Sequence, residues 1–141
     1  MKLTTIQIEA AVYIFEKENG SLKNDYDEKV IIESKLVSGN SAELEKIILD
    51  GLNIGYYVED GDRCLAYWAL SKRFNKKLVP AFRKWLKQEV EKNNYNAVYQ
   101  LLIALENVGE YVFGPDRKGS SASFEWELNI RDAANYLKDF N

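Results

Sequence analysis

The stretch Asn96–Gly109, NAVYQLLIALENVG, constrains the fold of this chain more than any other. Val98, Tyr99, Leu101, Leu102, Ile103, Ala104, Leu105 and Val108 leave almost no polar face when the segment is wound as an α-helix. A helix that is apolar nearly all round needs neighbours on several sides, which places it at the centre of a helical stack. At about fourteen residues it is too short to span a bilayer. Gly109 stands where a left-handed residue would end it.

The rest of the chain carries helix punctuation at regular intervals. Thr4 and Gln7 have capping-box spacing, and Ile8, Ala11, Val12 and Phe15 then form a helical stripe that Gly20 closes. Asp25 and Glu28 open a second helix, expected to run through VIIESKLV to Gly39. Ser41 is placed to cap a third, with Leu44, Ile47, Ile48 and Leu52 inward. Residues 55–62 read as a loop, and Asp62 as the cap of a fourth helix with Leu65, Trp68 and Ala69 inward. After the polar turn Asn75-Lys76-Lys77, Pro80 suits the first turn of a fifth helix, because the N–H that proline lacks has no intrahelical partner there. Its stripe is Val79, Phe82, Leu86 and Val90, with Arg83, Lys84, Lys87 and Glu91 outside. Past the central helix, Asn129 and Asp132 read as the start of a last helix with Ile130, Ala133, Ala134 and Leu137 on one side. The expected class is all-α, about seven helices.

Apolar spacing repeats along the chain. Leu36, Leu44, Ile48 and Leu52 are matched 34 residues later by Leu70, Leu78, Phe82 and Leu86. Trp68-Ala69-Leu70 is matched 35 residues later by Ile103-Ala104-Leu105. That period is the size of an α-solenoid unit, in which antiparallel helix pairs stack because none can bury its apolar face alone. An irregular helical bundle is the alternative. The segment Tyr67–Glu110, with its Ala-Leu pair, turn, Leu-Val-Pro entry and second Ala-Leu before a glycine, resembles HEAT-like helical repeat proteins. With Glu127-Leu128-Asn129-Ile130-Arg131-Asp132-Ala133, it is also similar to small HEAT-like bacterial immunity proteins of polymorphic or contact-dependent toxins. The resemblance implies one helical-repeat domain over residues 1–141, a short HEAT-like solenoid that binds and neutralises a toxin by occluding its active site.

Chemistry-bearing patterns are sparse. The chain has no histidine and a single cysteine, Cys64, which excludes an internal disulfide, a cysteine-cluster metal site and the commonest general base. Glu59, Asp60 and Asp62 around Gly61 lack the spacing of a calcium loop. A non-enzymatic protein without cofactor or metal is therefore expected. Neither a leader pattern nor an apolar run near eighteen residues is present, so a cytoplasmic address without membrane contact is expected.

Charge points instead to a partner. Residues 1–62 hold 13 acidic and 6 basic side chains, and residues 63–141 hold 9 acidic and 13 basic. Such asymmetry steers charged partners or simply reflects solvated helix faces of opposite bias. Glu43, Asp50, Glu59, Asp60 and Asp62 are the candidate acids for a basic protein partner, and Lys84 and Lys87 the candidate cations. The alternative function is nucleic-acid binding through segment 72–92, where Lys72, Arg73, Lys76, Lys77, Arg83, Lys84, Lys87 and Lys92 face only Glu89 and Glu91, with Phe82 and Trp85 interleaved. A net charge of −3 opposes it.

Residues 110–128 break the helical pattern with Gly114-Pro115, Gly119 and a serine-rich run, yet carry Tyr111, Phe113, Phe124 and Trp126. A connection that long inside a compact domain is functional or disordered. Phe113, Arg117 and Trp126 complete the candidate partner face. Two readings compete: the aromatics pack back on the core, or they flank an Asp116–Ser123 tip that orders on the partner.

Overall fold

A computed structural model describes residues 1–21, 24–36, 40–117 and 122–140. The protein is all-helical: α1 (Thr5–Glu18), α2 (Asp25–Ser34), α3 (Ser41–Ile54), α4 (Asp60–Ser71), α5 (Val79–Glu91), α6 (Tyr95–Asn107) and α7 (Trp126–Leu137), with short 3-10 turns at Lys76–Leu78, Pro115–Arg117 and Lys138–Phe140. The described residues contain no strand. The chain forms two compact units, Met1–Arg73 and Phe74–Asn141.

In the first unit, α1 is bounded by the signals its sequence carries. Thr4 Oγ1 accepts from the Gln7 N–H at 3.3 Å and Gln7 Oε1 accepts from the Thr4 N–H at 3.0 Å, so two orphan donors of the first turn are satisfied reciprocally. Gly20, with φ +86°, closes the other end by donating to Lys17 O. The buried side is Ile8, Ala11, Val12 and Phe15, joined by Ala10 and Ile14. Helices α2 and α4 cover most of it, and α3 also packs against α1. Gln7 at the start of α1 reaches Ser34 O at the end of α2, so these two run antiparallel. Thr5 meets Asp62 at the start of α4, and Asn19 meets Lys72 O just past its end, so α1 and α4 run parallel. Arg73 past the end of α4 pairs with Glu45 near the start of α3, which makes α3 and α4 antiparallel.

Three boundaries differ from the sequence reading. Helix α2 is capped by Asn24 and stops at Ser34, because Ser34 Oγ donates to Ile31 O and accepts from the Leu36 N–H, offering the backbone an exit; Gly39 lies outside the described residues. Helix α3 is capped by Asn40, whose side chain accepts from the Ala42 and Glu43 N–H groups, while Ser41 is buried as its first residue. Helix α4 begins at Asp60, so Asp62 lies inside its first turn and does not cap it. With α1 and α3 on two sides, α4 buries Ala66, Tyr67, Ala69 and Leu70, and leaves Leu65 and Trp68 half-buried.

The second unit is organised around α6. Ala97, Val98, Leu101, Leu102, Ala104 and Leu105 are all buried, packed by α5 on one side and α7 on another. Asn75 caps the turn that leads into α5, and Pro80 occupies the first turn. Phe82 and Leu86 are buried as expected; Trp85 and Glu89 are buried as well. Glu89 Oε1 accepts from Asn94 Nδ2 at 2.8 Å, so its carboxylate fastens the α5–α6 turn. Arg83 in the second turn of α5 reaches Glu110 beyond the end of α6, making α5 and α6 antiparallel. Helix α7 breaks that alternation. Its first residue, Trp126, stacks on Tyr95, the first residue of α6, and Tyr136 near its end meets Glu110, so α6 and α7 run parallel and residues 108–125 carry the chain back.

The start of α7 also differs from the sequence reading. It begins at Trp126, and Asn129 and Asp132 are buried on its inner side with Ala133 and Tyr136. Ala134 is exposed, and Ile130 and Leu137 are half-buried.

Candidate functional site

The return segment of the second unit is held by ionised groups. Arg117, in the Pro115–Arg117 turn, is buried, with Nη1 on Asp132 Oδ2 at 2.8 Å, Nη2 on Asn129 Oδ1 at 2.9 Å and Nη2 on Glu125 Oε1 at 3.4 Å. Its guanidinium lies 5.2 Å from the centre of the half-buried Phe113 ring. Asp132 is shared: Arg131 Nε and Nη2 bind its Oδ1, and the same guanidinium holds Asp116 bidentately at 2.7 and 2.8 Å. Arg131 beside it keeps the Asp116 carboxyl below the usual range. Gly114 leaves room for this cluster, because a Cβ would fall 2.7–3.0 Å from the side-chain ends of Asp116, Arg131 and Asp132 and one of them would have to shift.

Arg117, expected on a partner face, therefore faces the interior. The Asp116–Arg117 end of the supposed adaptable tip is tied to α7, whereas residues 118–121 lie outside the described residues.

The latch positions what flanks it. Glu125, immediately before α7, accepts from the Ala122 N–H at 3.1 Å as well as from Arg117, and Asn129 Nδ2 donates to Ala122 O. The two neighbours of this clamped residue are large aromatics that point to solvent: Phe124 is 82% and Trp126 44% exposed. With Glu125, Glu127 and Leu128 they line a groove of about 320 Å³. Trp126 is braced by Tyr95, the stacked rings 4.6 Å apart between centres and inclined at 29°. Tyr111, on the same return segment, is 98% exposed. The expectation that the aromatics of 110–128 pack back on the core fails for Tyr111 and Phe124, and holds in part for Phe113.

A second cluster joins α5 to α7. Arg83 Nε donates to Tyr136 Oη at 2.8 Å, Arg83 Nη2 to Glu110 Oε1 at 2.7 Å, and Tyr136 Oη donates to the same carboxylate oxygen at 2.5 Å. Burial and the Glu110 hydrogen bond push the Tyr136 phenol up to about 12. The hydrogen bonds from Tyr136 and Arg83 hold Glu110 below its ordinary value. Lys84 and Lys87 are exposed on the adjacent face of α5.

The candidate acids of the first unit are largely engaged already. Asp50 pairs with Lys46 at 2.8 Å, Asp60 with Arg63, and Asp62 accepts from Thr5 Oγ1 at 3.0 Å. Glu43 and Glu59 are exposed at the starts of α3 and α4. Among the described residues no group of acids or cysteine is arranged to hold a metal ion.

The basic segment is likewise divided. Lys72 pairs with Glu16, and Arg73 with Glu18 and Glu45. Phe82 and Trp85 lie in the core, which removes the rings expected to stack on bases. No helix among the described residues is long and apolar enough to cross a membrane. No protein-family model, curated protein or solved structure matches the chain.

Tyr95, Phe124, Glu125, Asn129 and Asp132 belong to this candidate site and are not among the residues that sequence reasoning assigns to it. One signal was present: an arginine in a Gly-Pro-Asp-Arg turn ahead of an Asn-x-x-Asp spacing offers a buried cation two acceptors on one helix face.

Proposed function

We propose that this protein is a protein-binding module, an inhibitor that serves as the immunity partner of a bacterial toxin by covering its active site. One observation carries the binding reading: Phe124 and Trp126 are held at the surface on either side of Glu125, whose own position is fixed by the Arg117 latch. Exposed aromatics that do not have to be ordered on binding are effective anchors, since the conformational cost has been met in folding. The resemblance of Tyr67–Glu110 to HEAT-like immunity proteins supplies the class of partner. The Phe82 and Trp85 rings, buried in the core, weigh against the nucleic-acid alternative.

The test is capture from the native host followed by affinity measurement with the purified partner. A protein is expected to be retained, its toxic activity is expected to fall on binding, and Trp126→Ala should weaken the complex by about 2 kcal/mol or more. Full affinity in a Trp126→Ala, Phe124→Ala double variant would remove this surface from the interface. Retention of nucleic acid with a steep salt dependence would replace the reading altogether.

A further inference from the structure

The second unit has another surface of different chemistry. Pro80, Arg83, Lys84 and Lys87 share one face of α5 through their three- and four-residue spacing, and with Leu137 and Phe140 they line a groove of about 430 Å³. Among the described residues no carboxylate lines it. Arg83 is fixed in place by Tyr136 and Glu110, with its guanidinium 3.5 Å from the centre of the Phe140 ring. Two of its nitrogens are used in this way; Nη1 has no hydrogen-bond partner among the described residues. Lys84 and Lys87 make no ion pair among the described residues either. Three cations thus face one groove whose remaining walls are proline, leucine and phenylalanine.

We propose that this groove binds an acidic peptide segment of a partner, with carboxylates taken by Lys84, Lys87 and the free edge of Arg83 and an apolar side chain seated against Pro80 and Leu137. Charge complementarity selects an anion, and the apolar walls select one that carries aliphatic groups. A nucleic acid fits less well on two counts. The Phe140 ring that would stack on a base is already occupied by Arg83 on one face, and the whole chain is acidic, so its distant field repels a polyanion. A carboxylate held at close range by Arg83 and the two lysines is much less affected by that distant field.

The probe is a capped peptide of alternating glutamate and leucine, dye-labelled and titrated with the full chain, with fluorescence anisotropy as readout. Saturable binding is expected, about tenfold weaker for the Lys84→Gln, Lys87→Gln double variant and for a peptide with glutamine in place of glutamate. Both lysines are exposed, so circular dichroism should show the variant folded. Trp126→Ala should bind the peptide like the parent protein, which separates this groove from the aromatic surface. The proposal is overturned by absence of saturable binding, by equal affinity in the double variant, or by an oligothymidylate that binds more tightly than the peptide at the same salt. It is overturned as well if the protein self-associates through this groove, seen as a sedimentation shift that the double variant abolishes.

Discussion

Among the described residues, Met1–Arg73 buries serines where Phe74–Asn141 buries an arginine, an aspartate, an asparagine and a glutamate. The serines cost little, because Ser34 and Ser71 return their hydroxyl protons to carbonyls one turn back, Ile31 O and Trp68 O. Glu89 is held apart by Asn94, whereas Arg117 and Asp132 are tolerable only together, since an ionised group without a partner in the interior costs several kcal/mol. The difference goes with the length of the return between parallel helices. In the first unit α2 and α3 are consecutive and parallel, since α2 is antiparallel to α1 and α3 to α4, and residues 35–40 separate them. In the second, α6 and α7 are consecutive and parallel too, but the longer stretch 108–125 carries the chain back. Backbone without its own ladder needs outside partners, and at Ala122 the Glu125 and Asn129 side chains of the cluster supply them. Buried ion pairs are a weak source of net stability, but they specify one arrangement out of many.

That contrast can be broken most directly at Asp132. Asp132→Ala leaves the Arg117 guanidinium buried beside an alanine and should cost about 3–5 kcal/mol in denaturant unfolding. Replacing the set together, Arg117→Met with Asn129→Leu and Asp132→Leu, should recover most of that loss. A single-variant cost under about 1 kcal/mol would mean that the cluster is not the fastening described above.

A slightly smaller effect tests whether the apolar cores are alike. Leu102→Ala on α6 and Leu70→Ala on α4 remove side chains of the same size from sites with almost no exposure, and each should cost about 2–5 kcal/mol. A loss below about 0.5 kcal/mol for Leu102→Ala would deny α6 its central place in the second unit.

The smallest effect is in pH dependence. Folding raises the Tyr136 phenol, so its contribution is complete below about pH 10 and is lost as pH climbs through about 12. Folding lowers Glu110, so its contribution is present above about pH 4.3 and is lost as pH falls through the lowered value. Tyr136→Phe should flatten the alkaline limb of a Tm–pH curve and shrink the acid one. An alkaline limb that is unchanged would trace it instead to the first unit, where burial and Glu9 raise Tyr13 in the same sense.

Local signals were legible in the chain and distant ones were not. The Thr4–Gln7 capping box, Pro80 in the first turn of α5 and the apolar run of α6 act within one helix, where spacing alone decides the outcome. Asn129 and Asp132 have the same kind of spacing, but their side chains answer to Arg117 across a loop, and the apparent cap became a buried acceptor pair. Tyr95 and Trp126 are 31 positions apart, and nothing short of the parallel course of α6 and α7 brings the rings together. The acids of residues 1–62 were legible as a charge excess but not as free groups, because Lys46, Arg63 and Thr5 each claim one.

The aromatic stack at the start of α7 also gives the molecule an optical handle. The chain has three tryptophans, and their surroundings differ: Trp68 stands edge-on to Tyr13, Trp85 is sealed in the second core against Phe82, and Trp126 lies open on Tyr95. Emission from Trp85 belongs at short wavelength and that from Trp126 at long wavelength, where iodide in solution quenches it. A molecule settling on the Phe124–Trp126 surface would shield the red component and leave the blue one untouched. The intrinsic fluorescence of the unlabelled protein thus reports occupancy of one surface and integrity of one core in a single spectrum.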